Sequence, residues 1–140
     1  MNGDPAIILL AHGSSDTRWC ETFEKLAGPT LESVPGSRIA YMELAEPSMD
    51  TVIAEGAKHG TRNYTIVPLF LAAGRHLRKD VPGMIADLET AHGVTISLAA
   101  PIGENPQLGN AIRDVVNQEL QNHNQADAAH KLAASESEKG

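Results

Sequence analysis

A continuous apolar run from Ala6 to Ala11 limits what this 140-residue chain can fold into more than any other feature. A strand with one face in water alternates apolar and polar residues, whereas a strand covered on both faces is apolar throughout. The run therefore predicts a buried strand of a parallel sheet. The rest of the chain alternates between strand-like and helix-like segments, as such a fold requires.

Three further strands are predicted from short apolar segments bounded by turn residues. The four predicted strands are Ala6–Ala11, Arg38–Glu43, Tyr64–Phe70 and Val94–Ala99. Pro68 lacks a backbone N–H, so we expect strand pairing to loosen there. A sheet in which the first strand lies between the second and the third is a common arrangement for such a pattern.

Helices are predicted between the strands from apolar spacing and from capping residues. Asp16 caps the first, which carries Trp19, Phe23, Leu26 and Ala27 at helical spacing and which Gly28-Pro29 should kink or shorten. Pro47-Ser48 opens the second, Asp80 and Pro82 start the third after a polar loop, and Asn105-Pro106 caps the last. We therefore expect an α/β three-layer sandwich with a four-stranded, mostly parallel sheet, a single domain over residues 1–124 and a disordered tail over 125–140.

The composition argues against several classes of protein. A formal charge of −7 and a pI of about 5.2 disfavour a general nucleic-acid binder. No apolar run approaches the ~20 residues that span a bilayer, and residues 1–5 lack the pattern of a signal peptide. We therefore expect a cytoplasmic protein with neither nucleic acid nor membrane as a partner.

Three side chains that can bind a metal ion fall near the carboxyl ends of predicted strands, where ligands bind in open parallel sheets. His12 follows the first strand, Glu43 ends the second, and His76 lies shortly after the third. Neighbouring strands lie about 4.8 Å apart, so three adjacent strand ends span roughly 10 Å. Two imidazoles and one carboxylate suit Co²⁺, Fe²⁺, Ni²⁺ or Zn²⁺. Taken singly, His12 could instead cap a loop, Glu43 could pair with an arginine, and His76 could face solvent.

Polar, basic and apolar residues surround this candidate metal site. Ser14 and Ser15 precede a predicted helix, where anions are favoured. Arg75, Arg78 and Lys79 could bind carboxylates, or they could belong to a solvated loop. Leu71, Ala72 and Ala73 could form an apolar floor for a flat ring. Because neither a P-loop nor a GxGxxG motif is present, no nucleotide cofactor is expected.

Three segments resemble the signatures of the CbiX and SirB group of class II chelatases. They are Leu9 to Ser14 (LLAHGS), Tyr41 to Ser48 (YMELAEPS) and Val67 to Pro82 (VPLFLAAGRHLRKDVP). The similarity extends from about residue 6 to residue 120 and keeps the order of elements.

This resemblance implies a function and an assembly. It implies ATP-independent insertion of a divalent metal, Co²⁺ first and Fe²⁺ or Ni²⁺ as alternatives, into sirohydrochlorin, a tetrapyrrole with eight carboxylates. Cobalt leads toward cobalamin and iron toward sirohaem. The family's metal-binding residues fall on His12, Glu43 and His76, and its short members pair as homodimers. Cys20 alone cannot hold the iron–sulfur cluster found in plant relatives. Both histidines must be neutral to bind metal, so activity should fall at acidic pH.

Two other functions remain compatible with parts of the pattern. A histidine phosphatase also has His-Gly after its first strand, but its arginine directly before that histidine is replaced here by Ala11. A non-enzymatic carrier of metal or tetrapyrrole would have the same site residues, and turnover alone separates it from a chelatase.

Overall fold

The computed structural model describes residues 4–139, apart from the side chains at position 76 and at positions 133–139. The strands are β1 (Ala6–Ala11), β2 (Arg38–Tyr41), β3 (Asn63–Pro68) and β4 (Thr95–Leu98). The helices are α1 (Thr17–Ser33), α2 (Met49–Lys58), α3 (Arg75–His92) and α4 (Pro106–Lys139), and a short 3-10 turn covers Ile102–Glu104.

The strands form one parallel sheet in the order β2-β1-β3-β4. The predicted α/β fold with a four-stranded parallel sheet is confirmed, and β1 lies between β2 and β3 as expected. Connections between parallel strands are right-handed. This handedness places α1 on one face of the sheet, and α2 and α3 together on the other, which makes three layers. Pro68 ends β3, where its missing N–H costs the sheet no interior hydrogen bond.

The main core lies between the sheet and the pair α2 and α3. Alternate residues of the strands point into it, among them Ile8 and Leu10 of β1 and Ile66 of β3. Val81 of α3 and Ile53 of α2 are completely buried against them. On the other face, Ala27 is the buried residue of α1, whereas Trp19 and Leu26 are mostly exposed. The helical spacing of these two residues therefore did not predict burial.

Side-chain caps fix where two of the helices begin. Asp16 accepts a hydrogen bond from the N–H of Arg18 at the start of α1. Ser48 accepts one from the N–H of Thr51 at the start of α2. Gly93 ends α3 in the left-handed conformation, with φ of 64°. The starts of α1 and α2 agree with the predicted ones.

Two helices extend beyond their predicted bounds. Helix α1 continues through Pro29 to Ser33, so Gly28-Pro29 does not shorten it, and a kink at this point stays a prediction. Helix α3 begins at Arg75, so the segment predicted as a polar loop before Asp80 is helical. Leu77 is buried one turn before Val81, and burial of both side chains outweighs the single hydrogen bond that Pro82 removes.

The chain divides into two compact units, Met1–Glu104 and Asn105–Gly140. The second unit contains α4, which continues past residue 124 to Lys139, where the sequence suggested a disordered tail. Its apolar residues Ile112, Val115, Val116 and Leu120 are each more than half exposed. The division into a domain of residues 1–124 and a tail stays a prediction. Within the described residues, no helix is both long and apolar enough to cross a membrane.

Candidate metal centre

The candidate metal centre lies at the carboxyl edge of the sheet, where β1 and β2 end side by side. His12 directly follows β1, and its carbonyl oxygen accepts a hydrogen bond from the N–H of Glu43 at 3.1 Å. The carbonyl of Ala11 accepts one from Met42 at 2.9 Å. The strand pairing therefore continues for two residues beyond β2 and brings His12 and Glu43 beside each other.

Gly13 makes this close approach possible. Its φ of +92° belongs to the left-handed region, which favours glycine. A Cβ at this position would collide with the carbonyl oxygen of Glu43 and would lie 3.2 Å from Cβ of Tyr41. The glycine thus lets the chain leave β1 directly against the backbone that carries Glu43.

His12 and Glu43 line a common cavity of about 270 Å³, together with Met42, Asp80 and Met84. Both side chains are exposed to solvent. Among the described residues, no hydrogen-bond or ion-pair partner holds the ring of His12 or the carboxylate of Glu43, so their ligand atoms can reach an ion. Glu43 is therefore not engaged with an arginine, which was its alternative interpretation.

The ring of His12 stacks on Phe70, with centroids 4.3 Å apart and planes inclined by 24°. Phe70 is buried and follows β3, so the stack ties the end of β1 to the connection after β3. Stacking restricts the ring without using either nitrogen, which leaves both nitrogens available to a ligand.

The third predicted metal-binding residue, His76, lies in the first turn of α3, and its side chain is outside the described residues. Among the side chains that the structure does describe, no group of three His, Cys, Asp or Glu residues is placed to hold a metal ion. The three-residue metal site consequently stays a prediction, of which the structure brings His12 and Glu43 together.

The predicted basic residues gather at a neighbouring cavity. Arg75, Arg78 and Lys79 line it with Ala73, in a volume of about 330 Å³. Positions 75, 78 and 79 share one side of α3, because residues three or four apart are neighbours on a helix. The positive end of the helix dipole adds to the charge of these side chains. This cavity suits carboxylate groups, whereas the cavity that Glu43 lines suits a cation.

The remaining predicted contact residues lie on two loops near these cavities. Ser14 accepts a hydrogen bond from the N–H of Asp16 at 3.0 Å and so belongs to the turn that opens α1. Ser15 is exposed. Leu71 and Ala72 are exposed in the connection between β3 and α3. The start of this connection is held by a hydrogen bond from the N–H of Gly103 to the carbonyl oxygen of Phe70, at 3.0 Å.

Tyr41 supports the site from beneath. Burial of its side chain, reinforced by the nearby carboxylate of Glu24, raises the pKa of the phenol well above its ordinary value. Its hydroxyl donates to Glu24 Oε1 at 3.3 Å, which joins the end of β2 to α1. Tyr41 thus stays neutral and serves the packing below Gly13.

Asp80 was missed as a site residue by the sequence analysis. It lines the cavity of His12 and Glu43, and it is itself engaged in an interaction within the protein. The signal that could have identified it is its position four residues after His76, which is one helical turn. That signal was hidden because this segment was predicted to be a loop.

Comparison with known proteins identifies the family. The model of the CbiX family matches residues 6–119, which is most of the chain. The chain belongs to the CbiX family.

Solved and curated CbiX-type relatives extend this result. One relative is the crystal structure of a protein from Marinobacter aquaeolei VT8, which is described as a cobalamin (vitamin B12) biosynthesis CbiX protein. Its sequence is 65% identical to this chain, and the TM-score of the two structures is 0.84. The match covers 86% of this chain and 98% of that one. A sirohydrochlorin cobaltochelatase of Sulfolobus acidocaldarius is 27% identical over 77% of this chain and 86% of its own. The chloroplastic sirohydrochlorin ferrochelatase of Arabidopsis thaliana is 32% identical over 82% of this chain and 51% of its own. The resemblance and the fold inferred from the sequence are confirmed.

Proposed function

We propose that this protein inserts a divalent metal ion into sirohydrochlorin without a nucleotide. The observation that carries the proposal is the cavity in which His12 and Glu43 meet at the sheet edge of a CbiX-family chain. The relatives named for insertion into this tetrapyrrole support the substrate. Co²⁺ is the ion we propose first, because the relative at 65% identity is described as a cobalamin biosynthesis protein. Fe²⁺ and Ni²⁺ are the alternatives.

His12 and Glu43 are proposed to bind the incoming ion, with His76 as the third ligand. The backbone of residue 76 lies one helical turn before Asp80, which lines the same cavity. Borderline nitrogen ligands together with a carboxylate suit Co²⁺, Fe²⁺ and Ni²⁺, and three protein ligands leave positions open for the pyrrole nitrogens. The carboxylate of Glu43 also attracts the ion.

The reaction exchanges two protons of the macrocycle for one M²⁺, so the site must also accept protons. A carboxylate or a neutral imidazole beside the ring can do this as the metal–nitrogen bonds form. Glu43 can take up one of the two protons once its carboxylate has released the ion to the ring, and the neutral imidazole of His12 can take up the other. Two protons carry the same charge as one M²⁺, so the charge of the cavity would be the same in its metal-loaded and protonated states.

The carboxylates of the substrate are proposed to bind the basic cavity of α3. Arg75, Arg78 and Lys79 would form charge-assisted hydrogen bonds with them, and Ser14 and Ser15 would donate from the opposite loop. Leu71, Ala72 and Ala73 would contact the face of the ring. Because residues of α3 line both cavities, carboxylates bound in the basic cavity would hold the pyrrole nitrogens near the proposed metal-binding side chains. The homodimer and the cytoplasmic location remain predictions.

The test is an anaerobic insertion assay. Purified protein is mixed with sirohydrochlorin and Co²⁺, Fe²⁺ or Ni²⁺, and the absorbance change on metallation is compared with a protein-free reaction. We expect acceleration by wild type and its loss in His12→Ala and Glu43→Gln. His59→Ala is the control, because His59 lies at the end of α2, away from this sheet edge. Metal or ring binding without acceleration would instead favour a carrier.

A further inference from the structure

Leu44 has an unusual backbone conformation directly beside the candidate metal centre. It follows Glu43, and its φ of 62° lies in the left-handed region. Within residues 4–139 it is the one residue other than glycine with a positive φ. Its Cβ is close to the following carbonyl oxygen in that conformation, which costs free energy that glycine or asparagine largely avoids.

The side chain of Leu44 is also poorly placed for the stability of the isolated chain. It is 68% exposed, so it gains little from burial in the core. A turn with this backbone would be more stable with glycine or asparagine, and an exposed position favours a polar residue. Contact with an apolar ligand would offset these costs, because it would remove the leucine from water. Strained residues of this kind also cluster at functional sites.

The topology places Leu44 on one side of His12 and Leu71 on the other. Glu43 is bonded to the backbone of His12, and Leu44 is the next residue. Phe70 stacks on the ring of His12, and Leu71, which is 77% exposed, is the next residue there. Two exposed leucines thus each lie one residue beyond a direct neighbour of His12, on the two strand ends that flank β1.

We infer that Leu44 is a substrate-binding residue that contacts the apolar face of the tetrapyrrole. This inference rests on the proposed function. A flat ring centred on an ion bound by Glu43 extends in its own plane by about one pyrrole unit, and the Cα of Leu44 is about 3.8 Å from that of Glu43. Leu44 is therefore within reach of the ring, and contact with the ring would remove the apolar surface of the leucine from water.

The decisive variant is Leu44→Asn. Asparagine has nearly the shape of leucine and tolerates the left-handed backbone, so the fold is kept while the apolar contact is lost. We expect the KM for sirohydrochlorin to rise roughly tenfold, as expected for loss of one buried leucine contact. The KM for the metal ion should stay within about twofold, and the melting temperature should be unchanged or higher.

Two further variants separate apolar contact from other effects. Leu44→Met keeps an apolar side chain, so it should hold the KM for sirohydrochlorin near that of wild type. Leu26→Asn makes the same substitution at a leucine of α1 that is 69% exposed, and it should leave both KM values unchanged.

The outcomes distinguish this inference from the proposed function. Insertion by wild type with an unchanged KM for sirohydrochlorin in Leu44→Asn would overturn the inference alone. A dimer that becomes monomeric in Leu44→Asn, measured by sedimentation, would also overturn it, because the leucine would then cover a second copy of the chain. If wild type inserts no ion, fluorescence titration with metal-free sirohydrochlorin still tests Leu44: weaker binding by Leu44→Asn supports the contact, and equal or absent binding refutes it.

Discussion

Substitution of Gly13 by alanine should damage the protein more than the same change at any glycine with open surroundings. Alanine would adopt a φ of +92°, which costs about 1–2 kcal/mol. Its Cβ would also fall well inside 3.0 Å of the carbonyl oxygen of Glu43, a separation that real Cβ atoms essentially never show. Because the obstacle is backbone, relief requires a shift of the chain, which costs about 1–3 kcal/mol more.

Two other glycines provide matched controls that separate these contributions. Gly36 has a φ of +79° with no atom within 4 Å of the added Cβ, so Gly36→Ala should show the conformational cost alone. Gly28 lies inside α1 with equally open surroundings, and Gly28→Ala should be neutral or stabilising by up to about 1 kcal/mol. Gly13→Ala should therefore lose about 2–5 kcal/mol, and Gly36→Ala about 1–2 kcal/mol.

Thermal and urea unfolding of the three variants provides the assay. At roughly 4 °C per kcal/mol, the melting temperature should fall by about 8–20 °C in Gly13→Ala and by about 4–8 °C in Gly36→Ala. Gly13→Ala should in addition lose metal insertion at temperatures where it is folded, because the shift separates His12 from Glu43. A Gly13→Ala protein as stable as Gly36→Ala, with full activity, would refute the proposed role of this close approach.

Three further predictions follow from other contacts. The folded state raises the pKa of Tyr41, so the contribution of its neutral phenol to the free energy of unfolding is fully present below pH 10. Above pH 10 this contribution falls by about 1.4 kcal/mol per pH unit. Tyr41→Phe should reduce the fall in unfolding free energy measured between pH 9 and 11, and an unchanged slope would argue against this role. Ser48→Ala removes the cap of α2 and should cost about 1 kcal/mol in urea unfolding, with Ser48→Asp restoring most of it. In Gly103→Ala the added Cβ would collide with the backbone of Leu71 and displace it. The KM for sirohydrochlorin should therefore rise even at temperatures where the variant is fully folded. An unaltered KM would count against a contact between Leu71 and the ring.

The sheet edge could be predicted from the sequence because its signals are local. The apolar run of β1 specifies a buried strand, and His12-Gly13 follows directly, so the strand and the candidate metal-binding histidine are adjacent in the sequence. Asp16 and Ser48 mark helix starts through hydrogen bonds to nearby N–H groups, which act over two or three residues. His12 directly follows β1 and Glu43 lies two residues beyond β2, so the strand order was enough to predict that they lie close together.

The start of α3 could not be predicted from local sequence signals, because two such signals conflict there. Pro82 and Asp80 suggested a helix beginning near residue 80, since proline is favoured in the first turn. Leu77, Val81 and Ile85 instead follow a helical spacing that begins earlier, and their burial against the sheet decides the outcome. Tertiary packing of this kind is not visible in a local pattern, so Asp80 was missed as a lining residue of the cavity.

The left-handed backbone of Leu44 had no signal in the sequence. Neither glycine nor asparagine occupies the position, and leucine is a residue that ordinarily avoids positive φ. The conformation follows from the hydrogen bonds of the neighbours, Met42 to Ala11 and Glu43 to His12, which extend the pairing beyond β2 before the chain turns away. Long-range pairing thus sets a local angle that local preference opposes.

The central position of β1 implies that the backbone that carries His12 and the connection after β3 differ in mechanical stiffness. β1 is hydrogen-bonded on both sides, and Ala11 is fully buried, so amide hydrogens here should exchange with solvent only when the whole domain unfolds. Residues 71–74 are largely exposed and outside the sheet, and their amides should exchange through small local openings. Under the proposed function, residues 71–74 would yield to an entering ring, whereas His12 would keep its position at the end of β1.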